Sequence, residues 1–144
     1  MSDQATQELI DGLNEDLAAE FQAVIHYLVG AEMMTGASRP ELKEFFEGEI
    51  QDELGHAQFL TSKIVALGGE PTTEPADVEL GSSNREQLEI ALQAEKDTIQ
   101  RYKQRVKQAE AAGETGLTVR LEDVIADEEE HRDEIRMILE DFAG

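Results

Sequence analysis

The chain has 144 residues, 40% of them hydrophobic, with 33 acids against 12 bases and a net charge of −21. That apolar content suits one folded domain with a core rather than a charged, disordered tail. The absence of cysteine excludes disulfides, zinc ribbons, iron–sulfur clusters and thiol catalysis, and the acidity disfavours nucleic acid, whose phosphates need clustered Lys and Arg.

The first element is predicted over residues 4–35. Ile10, Leu13, Leu17, Glu20, Val24, Tyr27, Ala31 and Met34 recur at alternating steps of three and four, the inner stripe of a bundle helix. The opening Met1-Ser2-Asp3-Gln4 is polar and acidic, unlike a signal peptide, and no apolar run approaches the ~20 residues of a membrane span, so a cytoplasmic protein without a membrane partner is expected. Gly36 ends this helix. Ser38-Arg39-Pro40-Glu41 reads as a capping box with an early proline, opening a second helix over 39–67. Its stripe is Phe46, Ile50, Glu53, Ala57, Leu60, Ile64 and Leu67, and Gly68-Gly69 stop it.

Residues 68–83, with Pro71 and Pro75, are too long for a tight turn and too short for a domain. They have the length of a crossover running the height of a four-helix bundle. Ser83 and Asn84, with Glu86 and Gln87 three residues on, open a third helix over 84–112, striped by Leu88, Leu92, Glu95, Ile99, Tyr102, Val106 and Ala109. Gly113 and Gly116 bracket the turn into a fourth, over 115–143, striped by Leu121, Ile125, Glu128, Arg132, Ile135, Leu139 and Phe142. Two short loops and one long connection predict a single all-α domain over 1–144, an up-down-down-up four-helix bundle.

Glu20, Tyr27, Glu53 and His56 recur 75 residues later as Glu95, Tyr102, Glu128 and His131. The chain is one helix pair used twice. Each helix puts a glutamate where its stripe demands a hydrophobe. One ionised carboxylate buried unpaired costs several kcal/mol, and four at one level repel each other. Bound cations remove that penalty. His56 and His131 follow Glu53 and Glu128 by three residues, so each pair shares a helix face. In a chain with 23 glutamates a lone Glu-x-x-His carries no information; two at one offset, each with a glutamate 33 residues upstream, do. Glutamate with histidine and no thiolate suits iron or manganese.

These residues resemble the ferritin-like di-iron carboxylate proteins, and most closely the bacterioferritins, over about Leu9 to Phe142. The resemblance implies two irons per chain, with manganese or zinc as substitutes. Glu20 and His56 would hold one, Glu95 and His131 the other, with Glu53 and Glu128 bridging. Tyr27 matches a tyrosine beside that centre, and Tyr102 repeats it; their other reading is as plain core aromatics. The implied reaction is oxidation of Fe(II) by O2 or H2O2, each histidine oriented by an acid behind it. Where bacterioferritins hold haem by a methionine, this chain has Leu54, which cannot ligate iron, and Met33 and Met34 read as core. An inner-surface iron site of that family uses a histidine and an aspartate; Gly48 and Asp52 supply only half of it here. No fifth helix follows Phe142, so a homo-oligomer from dimer to dodecamer is expected rather than a 24-subunit cage.

Three alternatives stand beside that reading. A rubrerythrin-like peroxidase or di-manganese catalase is one, against which Thr98 stands where rubrerythrins add a glutamate. A bundle that binds metal without turnover is another. A DNA-protecting mini-ferritin fits less well, its centre lying between subunits. Among the other residues, His26, about 120° around its helix from Glu20, reads as a surface or subunit-contact residue. Arg132 occupies a stripe position whose twin is Ala57, where a buried acid could pair with it. The run Asp127-Glu128-Glu129-Glu130 reads, Glu128 apart, as a solvated face, able to nucleate mineral with Glu122, Asp123, Asp133 and Glu134 if it met a cavity.

Five lysines against 23 glutamates give the composition of a salt-adapted surface. Self-repulsion of that charge opposes folding. Raising salt from about 0.1 M to about 1 M shortens the screening length from about 10 Å to about 3 Å. The melting temperature should therefore rise by a few degrees in differential scanning calorimetry; an unchanged value would sink the idea.

Overall fold

A computed structural model describes residues 3–142. It contains helices α1 (Gln4–Met33), α2 (Arg39–Ala66), α3 (Asn84–Ala111) and α4 (Thr115–Leu139), with no strand among the described residues. Met1 and Ser2 at the expected non-signal N-terminus lie outside the described residues, as does Ala143; the fourth helix, expected to run to 143, already ends at Leu139, where Glu140 turns extended. None of the described helices is long and apolar enough to cross a membrane.

The helix ends follow local chemistry. Asp3 accepts from the Thr6 N–H at 2.7 Å and Ser83 from the Glu86 N–H at 3.1 Å, each satisfying one orphan donor of the first turn. The capping box expected at Ser38 does not form: Ser38 has helix-like angles and makes no side-chain cap bond. Arg39 ties that turn instead, its Nη1 donating to the carbonyls of Glu32 at 2.6 Å and Met34 at 2.5 Å. α2 and α3 both close with paired bonds: Gly69 N–H to Ile64 O and Gly68 N–H to Val65 O, then Glu114 N–H to Ala109 O and Gly113 N–H to Glu110 O. Gly68 and Gly113 hold φ of 88° and 75°, left-handed values that cost other L-residues roughly 1 kcal/mol.

α1 packs on α2 and α3, and α3 on α4. Tyr102 reaches Glu20, Tyr27 reaches Glu95 and Asn84 reaches Thr35, so α1 and α3 run antiparallel. The crossover carries the chain the height of the bundle, giving the up-down-down-up order. It is stitched to one stripe of α1: Asn14 bonds the Glu70 carbonyl and the Thr72 N–H, the Ala18 carbonyl accepts from the Ala76 N–H, and Gln22 donates to the Asp77 carbonyl.

The core comes in two apolar clusters. One is built on Leu9, Leu13, Leu17, Leu60, Ile64 and Leu121, the other on Met34, Phe46, Leu88 and Ile135. Between them lies a layer of buried carboxylates and imidazoles. Of the methionines read as core, Met34 is fully buried but Met33 is 42% exposed, its sulfur beside the Gln87 amide. His26 is not a surface residue: it is buried against Tyr27 and Phe46, with Nε2 at 3.0 Å from Gln87 Oε1. The reason is that α1 touches two helices, so its buried arc is wider than one stripe.

The arginine that enters the interior is Arg105, not Arg132. Arg132 is half-exposed and pairs with its neighbour Asp133 at 3.0 Å. Arg105 is 3% exposed and grips Asp16 with two bonds, Nε to Oδ2 at 2.7 Å and Nη2 to Oδ1 at 3.0 Å. Burial raises the Asp16 pKa to about 6 in spite of that arginine. Gly12 makes room for the guanidinium, since a Cβ there would lie 2.0 Å from Arg105 Nη1. The twin of this contact is Gln87 over Gly30, 75 residues displaced, so the repeat keeps its shape and loses its charge.

Gly12→Ala should push Arg105 off Asp16 and lower stability by about 3 kcal/mol, more than the ~1 kcal/mol that alanine adds to a helix. Urea unfolding would check this; a gain in stability would mean the ion pair is not held by that space.

Candidate metal centre

Glu20 comes from α1, Glu53 and His56 from α2, Glu95 from α3, Glu128 and His131 from α4, and all six side chains are buried. The structure brings all six together. His56 Nδ1 lies 3.1 Å from Glu128 Oε1 and 3.7 Å from Glu20 Oε2. His131 Nδ1 lies 3.3 Å from Glu53 Oε1, 3.5 Å from Glu128 Oε1 and 3.8 Å from Glu95 Oε1. Each imidazole thus faces a glutamate of the opposite hairpin. Two four-residue groups result, each with its ligand atoms within 4.8 Å of one another: Glu20, Glu53, His56 and Glu128, and Glu49, Glu53, Glu95 and His131. Glu53 belongs to both.

The tyrosines also cross between hairpins. Tyr27 donates to Glu95 Oε1 at 2.7 Å and Tyr102 to Glu20 Oε1 at 2.8 Å. Burial and the neighbouring carboxylates push both phenols well above their ordinary pKa, so they stay neutral donors. Burial, then the like charges around them, push Glu53 and Glu128 well above the carboxylate range. Burial acts the same way on Glu95, but the nearby Glu128, His131 and Tyr27 outweigh it and lower its pKa. Burial opposes charge on His56, yet Glu128 and Glu20 raise it to about 11; His131 is raised likewise by Glu49, Glu53 and Glu95. The layer is a knot of carboxylates in which burial and like charge work against ionisation.

Two pairs of residues complete the layer. The run at 127–130 is not simply a solvated face, because Asp127 Oδ2 sits 3.3 Å from His56 Nε2. Its twin, Asp52 Oδ2, sits 3.0 Å from His131 Nε2. Each aspartate precedes a glutamate of the layer and turns the histidine of the opposite hairpin so that Nδ1 faces inward. Sequence reasoning expected such acids without naming them; the repeated Asp-Glu-x-x-His was the available signal. Glu49 was missed outright. It is buried one turn before Glu53, with Oε2 at 2.9 Å from His131 Nδ1, and its twin, Val124, is apolar.

The layer meets solvent on two sides. A cleft of ≈ 320 Å³ between α1 and α3 runs from Asp77, Glu79 and Asp97 down to His26, Glu53 and Glu95. On the other side, between α2 and α4, a hollow of ≈ 330 Å³ reaches His56 and one of ≈ 490 Å³ reaches His131.

Residues 10–144 match the model of the ferritin-like domain family. A crystal structure of a ferritin-like, di-iron-carboxylate protein from Bacillus anthracis superposes with a TM-score of 0.94 at 48% identity, covering 96% of this chain and 99% of that one. The bacterioferritin of Mycobacterium tuberculosis is 32% identical over 95% of this chain and 87% of its own, and its crystal structure superposes with a TM-score of 0.88 over 97% and 86%. The bacterioferritin of Rhodobacter capsulatus, solved with a metal-free dinuclear site and haem iron, superposes with a TM-score of 0.82 at 25% identity over 97% and 87%.

Glu53 is held in the layer at a cost to the fold, as its raised pKa shows. Glu53→Gln should therefore raise the melting temperature of the chelator-treated protein. Calorimetry in EDTA would measure it; a destabilised variant would mean the layer is self-sufficient without a cation.

Proposed function

The chain belongs to the ferritin-like family, and on that premise we propose that it oxidises Fe(II) to Fe(III) with O2 or H2O2 at a dinuclear centre inside each subunit, for iron storage and detoxification. One observation carries the reading. Nine buried side-chain polar atoms lack a hydrogen-bond partner among the described residues, and eight of them are ligand atoms of this layer, the ninth being Arg101 Nε. Native interiors satisfy nearly all such atoms. Carboxylate oxygens and imidazole nitrogens converging without partners fit hard or borderline divalent cations.

Glu20 and His56 would hold one iron and Glu95 and His131 the other, with Glu53 and Glu128 between them. When bound, a pair of ferrous ions would supply two electrons, enough with two protons to reduce O2 to H2O2, or H2O2 to two waters. The protein's part is placement. Asp127 and Asp52 fix the rotation of His56 and His131 and leave Nδ1 free for a metal. Tyr102 and Tyr27 each occupy one oxygen of Glu20 and Glu95, which fixes the orientation of both carboxylates. The acidic rim of the α1–α3 cleft, Asp77, Glu79 and Asp97, draws cations toward Glu53 and Glu95.

Haem is a poor fit. At the α2 position where the resemblance implies a methionine, the exposed side chain is the aliphatic Leu54, which has no atom to bind iron. The protein would work as a cytoplasmic homo-oligomer without that group.

Aerobic titration of the metal-free protein with Fe(II) tests the proposal. A break at two irons per chain, followed by uptake of many more, is the expected result. A break at two with nothing beyond would leave an oxidase or peroxidase and remove storage. The absence of any break would remove the ferroxidase reading and leave manganese or a non-catalytic bundle.

A further inference from the structure

The repeat that builds the centre is broken at one residue that touches it. Glu20 and Glu95, Glu53 and Glu128, His56 and His131, Asp52 and Asp127, and Tyr27 and Tyr102 all stand 75 residues apart. Glu49 has no such partner: its twin is Val124, packed in an apolar cluster. If Glu49 only filled space, a second valine would serve.

Glu49 is 8% exposed, and its Oε2 is one of the buried atoms without a hydrogen-bond partner. That oxygen lies 2.9 Å from His131 Nδ1, itself a buried atom without one. Both point at the same volume, shared with Glu53 and Glu95 inside 4.8 Å. Glu128 Oε1 is also 3.5 Å from His131 Nδ1. The His131 side therefore collects four carboxylates, Glu49, Glu53, Glu95 and Glu128, whereas the His56 group contains three. In charge terms, four carboxylates balance two divalent cations. A fifth leaves an anionic excess, and it sits wholly on one side.

We propose that Glu49 is a fifth carboxylate ligand of the centre, confined to the His131 position, so that the two metal positions are unequal and the His131 position fills first. The inference rests on the dinuclear reading above and adds to it an order of binding. Glu49 also lines the ≈ 490 Å³ hollow that reaches His131 between α2 and α4, with Asp52, Glu130 and Asp133, and is absent from the lining of the hollow that reaches His56.

The test uses Co(II), whose visible absorption reports its ligands without any oxidation. Anaerobic titration of the metal-free full chain should show two steps, the first tighter, saturating at two Co(II) per chain. Glu49→Gln, which keeps the shape, and Glu49→Val, which copies the twin, should each weaken the first step by about 10-fold or more, bringing the two steps together. Glu20→Gln should weaken the second step and spare the first. Two steps unchanged in both Glu49 variants would overturn the proposal and leave Glu49 as an acceptor for His131. Two equal steps in the wild type would overturn it as well. No binding of Co(II) by the wild type would instead overturn the dinuclear reading on which it stands.

Discussion

Five glutamates and two imidazoles share one buried level of this bundle, and most of the molecule can be understood as a means of keeping them there. Like charges at hydrogen-bond range in a low-dielectric interior drive each other apart or force protons onto one another. The second response is at work here. Burial and the like charges nearby raise the pKa of Glu53 and Glu128, while Glu128, His131 and Tyr27 outweigh burial and lower that of Glu95. The fold resists separation by layering. Apolar clusters close off the level above and below, and no helix can move outward without exposing leucines.

The lock between the two hairpins is polar as well as apolar. Every strong contact in the layer crosses from one hairpin to the other: Tyr27 to Glu95, Tyr102 to Glu20, Asp127 to His56, Asp52 to His131. A hairpin alone would have its acids without their donors. The repeat thus becomes functional only when both copies meet, which accounts for a crossover fastened to α1 by Asn14 and Gln22 rather than left slack.

Departures from the repeat mark where the halves have different work. Gly12 and Gly30 accept an arginine and a glutamine from α3, so one end of the bundle carries a buried ion pair and the other a neutral amide that anchors His26 and the end of the crossover. Glu49 stands opposite Val124 and makes the two sides of the metal layer unequal. The outer cleft ends at Glu53 and Glu95 beneath the crossover, whereas the hollows between α2 and α4 end at the histidines. The layer therefore meets solvent on two separate sides.

The sequence by itself determined the helices, the crossover and the six residues of the layer. Helical periodicity and glycine stops are local, and a 75-residue offset shows which glutamates share a level without any knowledge of packing angles. Contacts that depend on how wide an arc each helix buries were decided only by the tertiary structure. α1 touches both α2 and α3, so His26 and Asp16 went inside although they lie off the predicted stripe. α4 buries Val124 more fully than Ile125 and leaves Arg132 half-exposed, so the arginine in the interior is Arg105. Nothing in the sequence of α2 singled out Glu49. Only the approach of α4, bringing His131 Nδ1 to 2.9 Å, made it part of the centre, because a ligand is defined by where atoms converge and not by the helix that carries them.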